Sequence, residues 1–254
     1  MKNRSEPALT EQEESIYSAL KTLRVPAMAE EFRKQALDPN ADTDSFAARL
    51  SSMVEKEKES RYNNKFRKII RKANLRYPDA DIDQSIYEEG RRLNYSLIEK
   101  LAKGEWVKDR KNLLITGMTS SGKSYLTNAL CIISAKNLHT VHYIRANRLM
   151  MLLESARMEG AYLKILDTYN GYDLLAIDDF GLMDLDIDKC RDLFEIIDGR
   201  EGRKSTIVVS QLPIKNWFDL FRENTYADAT LARLCDKNHS YRLEMNGRSM
   251  RKLD

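Results

Sequence analysis

One short segment of the 254-residue chain combines residue types and a spacing that suit a polyphosphate. Residues 117–124 read Gly-Met-Thr-Ser-Ser-Gly-Lys-Ser, which matches the pattern G-x-x-x-x-G-K-[ST]. The glycines let the backbone wrap around phosphate oxygens, and the start of a following helix adds partial positive charge. Lys123 can reach the β- and γ-phosphates of a nucleoside triphosphate, and the Ser124 hydroxyl suits Mg²⁺.

A pair of carboxylates supplies the second half of such a site. Asp178 and Asp179 follow the apolar run 174–177. Because a carboxylate at the end of a buried strand is costly without a cation, we expect Asp178 to hold Mg²⁺ through its water shell. We expect Asp179 to orient or polarise the water that attacks the terminal phosphate. The pair is also compatible with a plain polar strand end.

Gln211 is a third polar group at the end of a β-branched run, which here spans residues 205–210. In open parallel sheets, ligands collect at the carboxyl ends of the strands. We therefore expect Gln211 to contact the γ-phosphate or the attacking water. The three strand ends together predict a site that binds ATP with Mg²⁺ and hydrolyses it.

The elements that must position these groups begin near residue 112, where short β-branched runs alternate with helical stretches. Five strands are predicted, over residues 112–117, 140–145, 174–178, 205–210 and 240–245. The predicted helices span residues 123–136, 148–169, 189–198 and 226–235. Gly199 is expected to close the third of these helices, and Pro213 to begin a further one. Strands buried on both faces and separated by helices are typical of an α/β fold with a parallel, doubly wound sheet.

The first hundred residues differ, because they read as helices without strands. Helical segments are predicted over residues 16–32, as one helix or a helical pair, and over residues 49–76 and 84–103 as single helices. The second helix carries an apolar stripe at helical spacing, formed by Tyr62, Phe66, Ile70 and Ala73. The pattern predicts a helical basic N-terminal domain over residues 1–78, a linker and leading helix over 79–104, and an ATPase domain over 105–254.

Basic residues are concentrated in the second of these helices. Between positions 49 and 76, ten Lys or Arg residues stand against three acidic ones, an excess of seven positive charges. Such a surface is the electrostatic footprint of binding to a phosphate backbone, although it is also typical of a plain solvated helix face. A second basic group lies on the helix after strand two. The candidate DNA-binding residues are Arg61, Lys65, Arg67, Lys68, Arg71, Lys72, Arg145, Arg148, Arg157 and Lys164.

Composition limits the remaining classes of protein. Charged residues make up 32% of the chain, and its mean hydropathy is negative. No apolar run approaches the roughly 20 residues that cross a bilayer. The N-terminus has no apolar stretch after its basic residues, so it does not read as a secretory signal. We predict a cytoplasmic protein that makes no membrane contact.

The motifs, taken in order along the chain, closely resemble those of the IstB-like ATPases. The motifs after the P-loop are Asp-Asp-Phe-Gly at 178–181, Ser-Gln-Leu-Pro at 210–213, Asp-Ala-Thr-Leu-Ala-Arg-Leu at 228–234, Tyr-Arg-Leu-Glu at 241–244 and Gly-Arg-Ser-Met-Arg at 247–251. Members of this family are AAA+ transposition helpers encoded beside an insertion-sequence transposase, and they are similar to the helicase loader DnaC. The resemblance covers nearly the whole chain and implies an AAA+ core preceded by the basic helical domain.

The resemblance also implies roles for individual residues. Asp179 stands at the catalytic acid position, Gln211 at sensor 1 and Arg233 at the arginine finger. Arg233 lies about 200° from Leu231 around its helix, so it is expected to point outward, towards a neighbouring subunit's nucleotide site. The resemblance implies that Lys123, Ser124 and Asp178 bind MgATP. The nucleotide-binding segment comprises Gly117, Thr119, Ser120, Ser121, Gly122, Lys123, Ser124 and Tyr125.

The chain departs from the wider AAA+ pattern at three places. Many AAA+ proteins carry Glu where Asp179 stands, and the shorter side chain would hold water further away, which predicts slow hydrolysis. Sensor 1 is more often Asn than Gln in the wider class. The short sequence after the fifth strand predicts no C-terminal helical lid, and Arg248 or Arg251 is a candidate substitute for the arginine of the lid.

The function implied by the resemblance is ATP-dependent assembly of a homo-oligomer on duplex DNA. In this hypothesis both basic elements line one DNA track, and the remodelled DNA recruits or stimulates a partner transposase. A replicative helicase loader of the DnaC type is the leading alternative, because it would share the site and differ in its client. A metabolic P-loop kinase is a third possibility, which predicts a small-molecule acceptor pocket.

Overall fold

The computed structural model describes residues 8–83 and 93–245, and it divides into two compact units, Met1–Arg67 and Lys68–Asp254. The first unit is helical, as predicted. Helix α1 spans Glu11–Thr22, α2 spans Pro26–Ala36, and α3 spans Phe46–Lys72, so the boundary between the units falls within α3. A short 3-10 turn, Ala41–Thr43, precedes α3. The predicted domain limits at residues 78 and 104 stay predictions.

Two local sequence features determine where the first two helices begin. Thr10 and Glu13 form a capping box at the start of α1, in which the Thr10 amide donates to the Glu13 carboxylate at 2.8 Å. Pro26 occupies the first turn of α2, where its missing N–H costs nothing. The predicted helical region 16–32 is therefore a helical pair that breaks just before Pro26.

Glu57 joins two helices of the first unit. Its Oε2 accepts hydrogen bonds from the Ala27 and Met28 amides at 3.0 and 3.3 Å, and so caps α2. Its Oε1 accepts from Arg61 Nε at 2.8 Å, and Arg61 Nη2 also donates to the Arg24 carbonyl at 3.0 Å. This network could not be predicted from the sequence, because Glu57 lies 30 and 29 residues from Ala27 and Met28 along the chain.

Helix α3 ends at Lys72 rather than at Arg76. Beyond it, Asn74 has a left-handed φ of 54°, and the chain turns to run beside the second strand of the sheet. The Tyr143 amide donates to the Ala73 carbonyl at 2.8 Å. The predicted apolar stripe is only partly buried, since Ala73 is fully buried whereas the Tyr62 side chain is exposed and stacks on Phe66.

The second unit is built on five parallel strands in the order β2-β3-β4-β1-β5, which confirms the predicted sheet. The strands are β1 Asn112–Gly117, β2 Val141–Arg145, β3 Leu174–Phe180, β4 Ser205–Ser210 and β5 Ser240–Met245. The helices are α4 Tyr95–Ala102, α5 Glu105–Lys108, α6 Lys123–Lys136, α7 Ala146–Met158, α8 Tyr162–Gly171, α9 Ile187–Arg200 and α10 Asn224–Cys235. Strands β1, β3 and β4 are buried on both faces, as a sheet between helical layers requires.

Three predictions about the helices were wrong. The stretch 148–169 forms two helices, because Gly160 adopts a left-handed φ of 70° between them. Gly199 lies inside α9, where a Cβ atom would meet the Asn170 amide at 2.3 Å. Pro213 precedes two 3-10 turns, Ile214–Asn216 and Phe218–Leu220, rather than an α-helix. Part of the predicted helix 84–103 lies outside the described residues, and its end corresponds to α4.

Arg200 is a buried arginine at the end of α9, only 1% exposed. It donates to the Tyr169 and Tyr172 carbonyls at 2.7 and 2.9 Å and to the Ser205 carbonyl at 2.5 Å. Its Nε donates to Thr206 Oγ1 at 2.9 Å. This side chain therefore satisfies the backbone where α8 ends and β4 begins. Within the described residues, no helix is both long enough and apolar enough to cross a bilayer.

Candidate functional site

The predicted phosphate loop connects β1 to α6. Gly117 ends β1 with a φ of 145°, and a Cβ atom at this position would lie 2.2 Å from the Met245 carbonyl oxygen of β5. Only glycine permits this approach of the two strand ends. Ser120 and Gly122 also have left-handed backbones, with φ of 62° and 87°, and α6 begins at the next residue, Lys123. The loop is therefore a tight turn at a helix N-terminus, as an anion site requires.

Lys123 is nearly buried under this loop, at 7% exposed. Its Nζ donates to the Gly117 carbonyl at 2.7 Å and to the Met118 carbonyl at 2.6 Å. Burial lowers the pKa of Lys123, while the charges of Asp178 and Asp179 act in the opposite direction. The structure thus brings the lysine and both predicted carboxylates into one electrostatic environment.

Gln211 lies beside the phosphate loop. Strand β4 occupies the place between β1 and β3 in the sheet, so the residue that follows it stands between the loop and the Asp pair. Thr119 Oγ1 donates to Gln211 Oε1 at 2.7 Å. The polar groups that follow three different strands therefore meet at one edge of the sheet, as the sequence predicted.

Asp178 ends a buried part of β3 and is 1% exposed. The Tyr143 hydroxyl on β2 donates a short hydrogen bond to its carboxylate, and the Asp179 amide donates to Oδ1 at 2.7 Å. Burial and the charge of Asp178 raise the pKa of Tyr143, which keeps the tyrosine protonated as a donor. Sequence reasoning missed Tyr143. The sequence carries no local signal for it, because the pairing of β2 with β3 that brings Tyr143 near Asp178 is a tertiary contact.

Asp179 occupies an irregular point of β3. Its φ is 58°, in the left-handed region that Asp tolerates better than most residues, and the register between β3 and β4 shifts between Ile177 and Phe180. Burial and the charge of Asp178 raise the pKa of the Asp179 carboxyl, against the opposing charges of Arg145, Arg76 and Lys123. Asp179 thus leaves the regular ladder of β3, whereas Asp178 still pairs in register with Arg145 of β2.

The oxygen groups of Ser124 and Asp178 match the hard oxygen donors that Mg²⁺ prefers. Asp178 is buried at a strand end, where a cation would offset the cost of its charge. Ser124 is fixed by its carbonyl, which accepts from Asn128 Nδ2 at 2.7 Å. Tyr125 contacts the preceding segment, since its hydroxyl accepts from the Asp81 amide at 3.1 Å and its ring lies 5.7 Å from that of Tyr77.

Arg233 on α10 makes a cluster of contacts with α9. Its guanidinium pairs with Asp198 and with Glu201, and it lies 4.9 Å from the Phe194 ring centroid. Nη1 donates to the Ala229 carbonyl at 2.9 Å. The side chain is partly buried rather than directed straight into solvent. Its contacts among the described residues are with these two helices and not with the phosphate loop of its own chain.

The candidate DNA-binding residues fall into two environments. All ten are exposed, and eight of them are Lys65 and Arg67 in the first unit and Lys68, Arg71, Lys72, Arg145, Arg148 and Lys164 in the second. The other two already have acidic partners. Arg61 pairs with Glu57 in the network that caps α2, and Arg157 pairs with Asp192 and Asp188 while lying 4.8 Å from the Tyr162 ring centroid.

This geometry can be compared with known proteins. A model of the family described as "IstB-like ATP binding protein" matches residues 18–254. The chain belongs to this family. An insertion sequence ATP-binding protein of Sinorhizobium fredii is 35% identical over 92% of this chain and 93% of its own length. Another, from an insertion sequence of Pseudomonas fluorescens, is 34% identical over 77% of this chain and 85% of its own length.

Solved structures identify the fold of the IstB-like chain. A crystal structure of the DnaC helicase loader superposes with a TM-score of 0.52 at 24% identity, over 67% of this chain and 98% of the loader chain. This likeness shows the AAA+ fold and confirms the α/β prediction. The family shows that the chain is an ATP-binding protein and supports ATPase activity in general. Arg248, Arg251 and the predicted absence of a lid concern residues 246–254, which lie outside the described residues.

Proposed function

We propose that this IstB-like chain is an ATPase that assembles as a homo-oligomer on duplex DNA and there recruits or stimulates the transposase of its insertion sequence. The hydrogen bond between Thr119 and Gln211 is the main support for the ATPase, because it joins the phosphate loop to the strand end beside Asp178 and Asp179. The relatives named as insertion sequence ATP-binding proteins support the link to transposition.

Each residue of the site has a role in this proposal. Lys123 binds the β- and γ-phosphates, and Ser124 with Asp178 would hold Mg²⁺, which supplies charge neutralisation on the phosphate oxygens when bound. Asp179 orients the attacking water, and Gln211 contacts that water or the γ-phosphate. Hydrolysis is slow, since an aspartate reaches about one methylene less far than a glutamate.

A neighbouring subunit completes the site in this scheme. Arg233 acts in trans as the arginine finger that stabilises negative charge in the transition state. To do so it exchanges Asp198 and Glu201 for the neighbour's triphosphate. Both acids are about half exposed, at 47% and 53%, so the solvent-screened pairs hold the guanidinium only weakly.

The DNA contacts are made largely to phosphates. Exposed Lys and Arg side chains of α3 and of α7 and α8 supply the charge, and contacts of this kind need no reading of base sequence. Arg61 and Arg157 contribute less than their neighbours, because acidic side chains already balance their charge. The protein works in the cytoplasm, where ATP and DNA are both available.

One experiment identifies the partner protein on which the ATPase acts. The full chain with ATP and duplex DNA is presented with the transposase encoded beside it and, in a parallel sample, with a replicative helicase. ATP-dependent retention of the transposase supports the proposal. Retention of the helicase alone would instead favour a loader of the DnaC type, which the likeness in fold makes the second candidate. Failure to bind either DNA or ATP would refute both.

A further inference from the structure

A second concave site lies in the unit that holds the phosphate loop. It is a groove of about 570 Å³ between the chain segment 74–76 and the first turns of α7, with β2 as its floor. Its lining includes Asn74, Leu75, Arg76, Tyr143, Arg145 and Arg148. The groove adjoins the Asp pair, because Tyr143 donates to Asp178 and the charges of Arg76 and Arg145 act on Asp179. The roles assigned to the phosphate loop, Gln211 and Arg233 use none of these side chains.

Hydrogen bonds hold segment 74–76, which forms one wall of the groove, to β2 and to α6. Asn74 Nδ2 donates to the Tyr143 carbonyl at 3.0 Å, which complements the bond from the Tyr143 amide to Ala73. The amides of Arg76 and Tyr77 both donate to Asn128 Oδ1 on α6, at 2.9 and 3.2 Å. The groove is therefore built before any ligand arrives, and binding needs little ordering of the backbone.

The charged residues that line the groove are all basic, and two of them, Arg76 and Arg145, are close enough to the Asp pair to act on Asp179. Arg76, Arg145 and Arg148 line it, and no acidic residue belongs to the lining. Arg145 precedes the first residue of α7, so the positive end of that helix adds to the same field. Arg145 and Arg148 are exposed and, among the described residues, take part in no salt bridge. An anion is the ligand that this set of donors fits.

We propose that this groove binds a backbone phosphate of DNA, held by Arg145 and Arg148 on the α7 side and by Arg76 and Asn74 on the opposite side. The proposal rests on the proposed function, since it takes DNA as the anion. It adds Arg76 and Asn74 to the contacts expected from the sequence and gives them a common ligand.

Two observations favour a polymer over a small phosphate compound. Exposed basic residues of the same unit lie close to the groove along the chain, because only the buried Ala73 separates Arg71 and Lys72 from the segment that forms its wall. Its lining also includes apolar surface from Leu75 and from Met151, whose side chain is 51% exposed. A sugar or base next to the bound phosphate can cover that surface, whereas inorganic phosphate cannot.

The test uses charge reversal at one lining residue. Arg148→Glu preserves the fold, because a glutamate in the first turn of α7 interacts favourably with the helix dipole. The matched control is Arg203→Glu, an exposed arginine just before β4 and hence at the opposite edge of the sheet. Binding of a fluorescent duplex is measured by anisotropy at several salt concentrations, with a non-hydrolysable ATP analogue present.

We expect Arg148→Glu to weaken the affinity for DNA about tenfold or more at roughly 0.1 M salt, and to reduce the slope of log K against log salt by about one. Arg203→Glu should match the wild type, and affinity for a fluorescent ATP analogue should be unchanged in both variants. Wild-type affinity and slope in Arg148→Glu would overturn the site. If the wild-type protein itself failed to bind DNA, the proposed function would fail first.

Chemical modification of Arg148 by phenylglyoxal distinguishes a DNA phosphate from free inorganic phosphate as the ligand of the groove, because a bound ligand protects the arginine. In the full chain, mass spectrometry measures the extent of modification with duplex DNA, with millimolar inorganic phosphate, or with neither. Protection by DNA alone supports the proposal. Protection by inorganic phosphate but not by DNA would assign the groove to a small anion, and protection by neither would leave no phosphate site there. Either result overturns the inference.

Discussion

Arg233 and Asp198 form a salt bridge that joins α10 to α9, with Nη2 of the arginine 2.8 Å from Oδ1 of the aspartate. In the proposed oligomer the same guanidinium serves the nucleotide of a neighbouring subunit. Asp198 and the neighbouring subunit's nucleotide therefore compete for the Arg233 side chain. The salt bridge within the chain disfavours the contact between subunits, and the size of this effect can be measured.

Asp198→Asn should therefore raise ATP hydrolysis by the assembled protein. A partly exposed pair contributes up to about 1 kcal/mol, so an increase of up to roughly fivefold is expected, with little change in the melting temperature. Turnover is measured at saturating ATP and DNA. Asp167→Asn removes an exposed charge from α8 and serves as the control. A fall in turnover that Arg233→Ala shares would mean that Asp198 positions the finger instead of restraining it.

Lys123→Ala should abolish ATP-dependent assembly on DNA. The alanine keeps the helix but removes the ammonium group that we propose binds the β- and γ-phosphates. Sedimentation of the protein with duplex DNA, with and without ATP, measures the effect. Lys136→Ala, at the other end of α6, should assemble normally. Oligomers that form equally well from the Lys123 variant would remove ATP as the trigger.

Asp179→Asn should keep the affinity for ATP and DNA and lose turnover. Asparagine tolerates the left-handed backbone at this position as well as aspartate does, so the fold is unaffected. A loss of roughly 100-fold or more in the rate constant is expected if the carboxylate positions or activates the water. Single-turnover hydrolysis provides the measurement, and an unchanged rate would exclude Asp179 from the chemistry.

Tyr143→Phe tests the support of Asp178. The substitution deletes only the hydroxyl that donates to the buried carboxylate, and loss of such an outer partner costs about 10–100-fold in metal affinity or activity. We expect hydrolysis to require more Mg²⁺, as measured by a Mg²⁺ titration at fixed ATP. Tyr162→Phe is a matched control, since it removes a hydroxyl that donates to Asp192 at 2.7 Å. Equal Mg²⁺ dependence in both variants would contradict the role.

The sequence predicted the ends of the central strands well, and with them the meeting of Lys123, Asp178 and Gln211. Periodicity and the P-loop pattern are local signals, and the carboxyl edge of a parallel sheet is fixed once its strands are identified. Tyr143 and Arg200 were missed because their roles depend on partners distant in sequence. The predicted helix limits were wrong where tertiary contacts outweighed helix propensity. Gly199, for example, lies inside α9 and packs against Asn170.

The side-chain amide of Asn128 makes hydrogen bonds with two different segments of the chain. Its nitrogen donates to the carbonyl of Ser124, in the first turn of α6, while its oxygen accepts from the backbone of Arg76 and Tyr77. One residue thus ties the start of the phosphate-loop helix to the wall of the arginine groove. If that turn rotated around a bound triphosphate, Asn128 would carry the backbone of Arg76 with it, and we therefore expect the geometry of the groove to depend on the nucleotide without any direct contact between the two ligands.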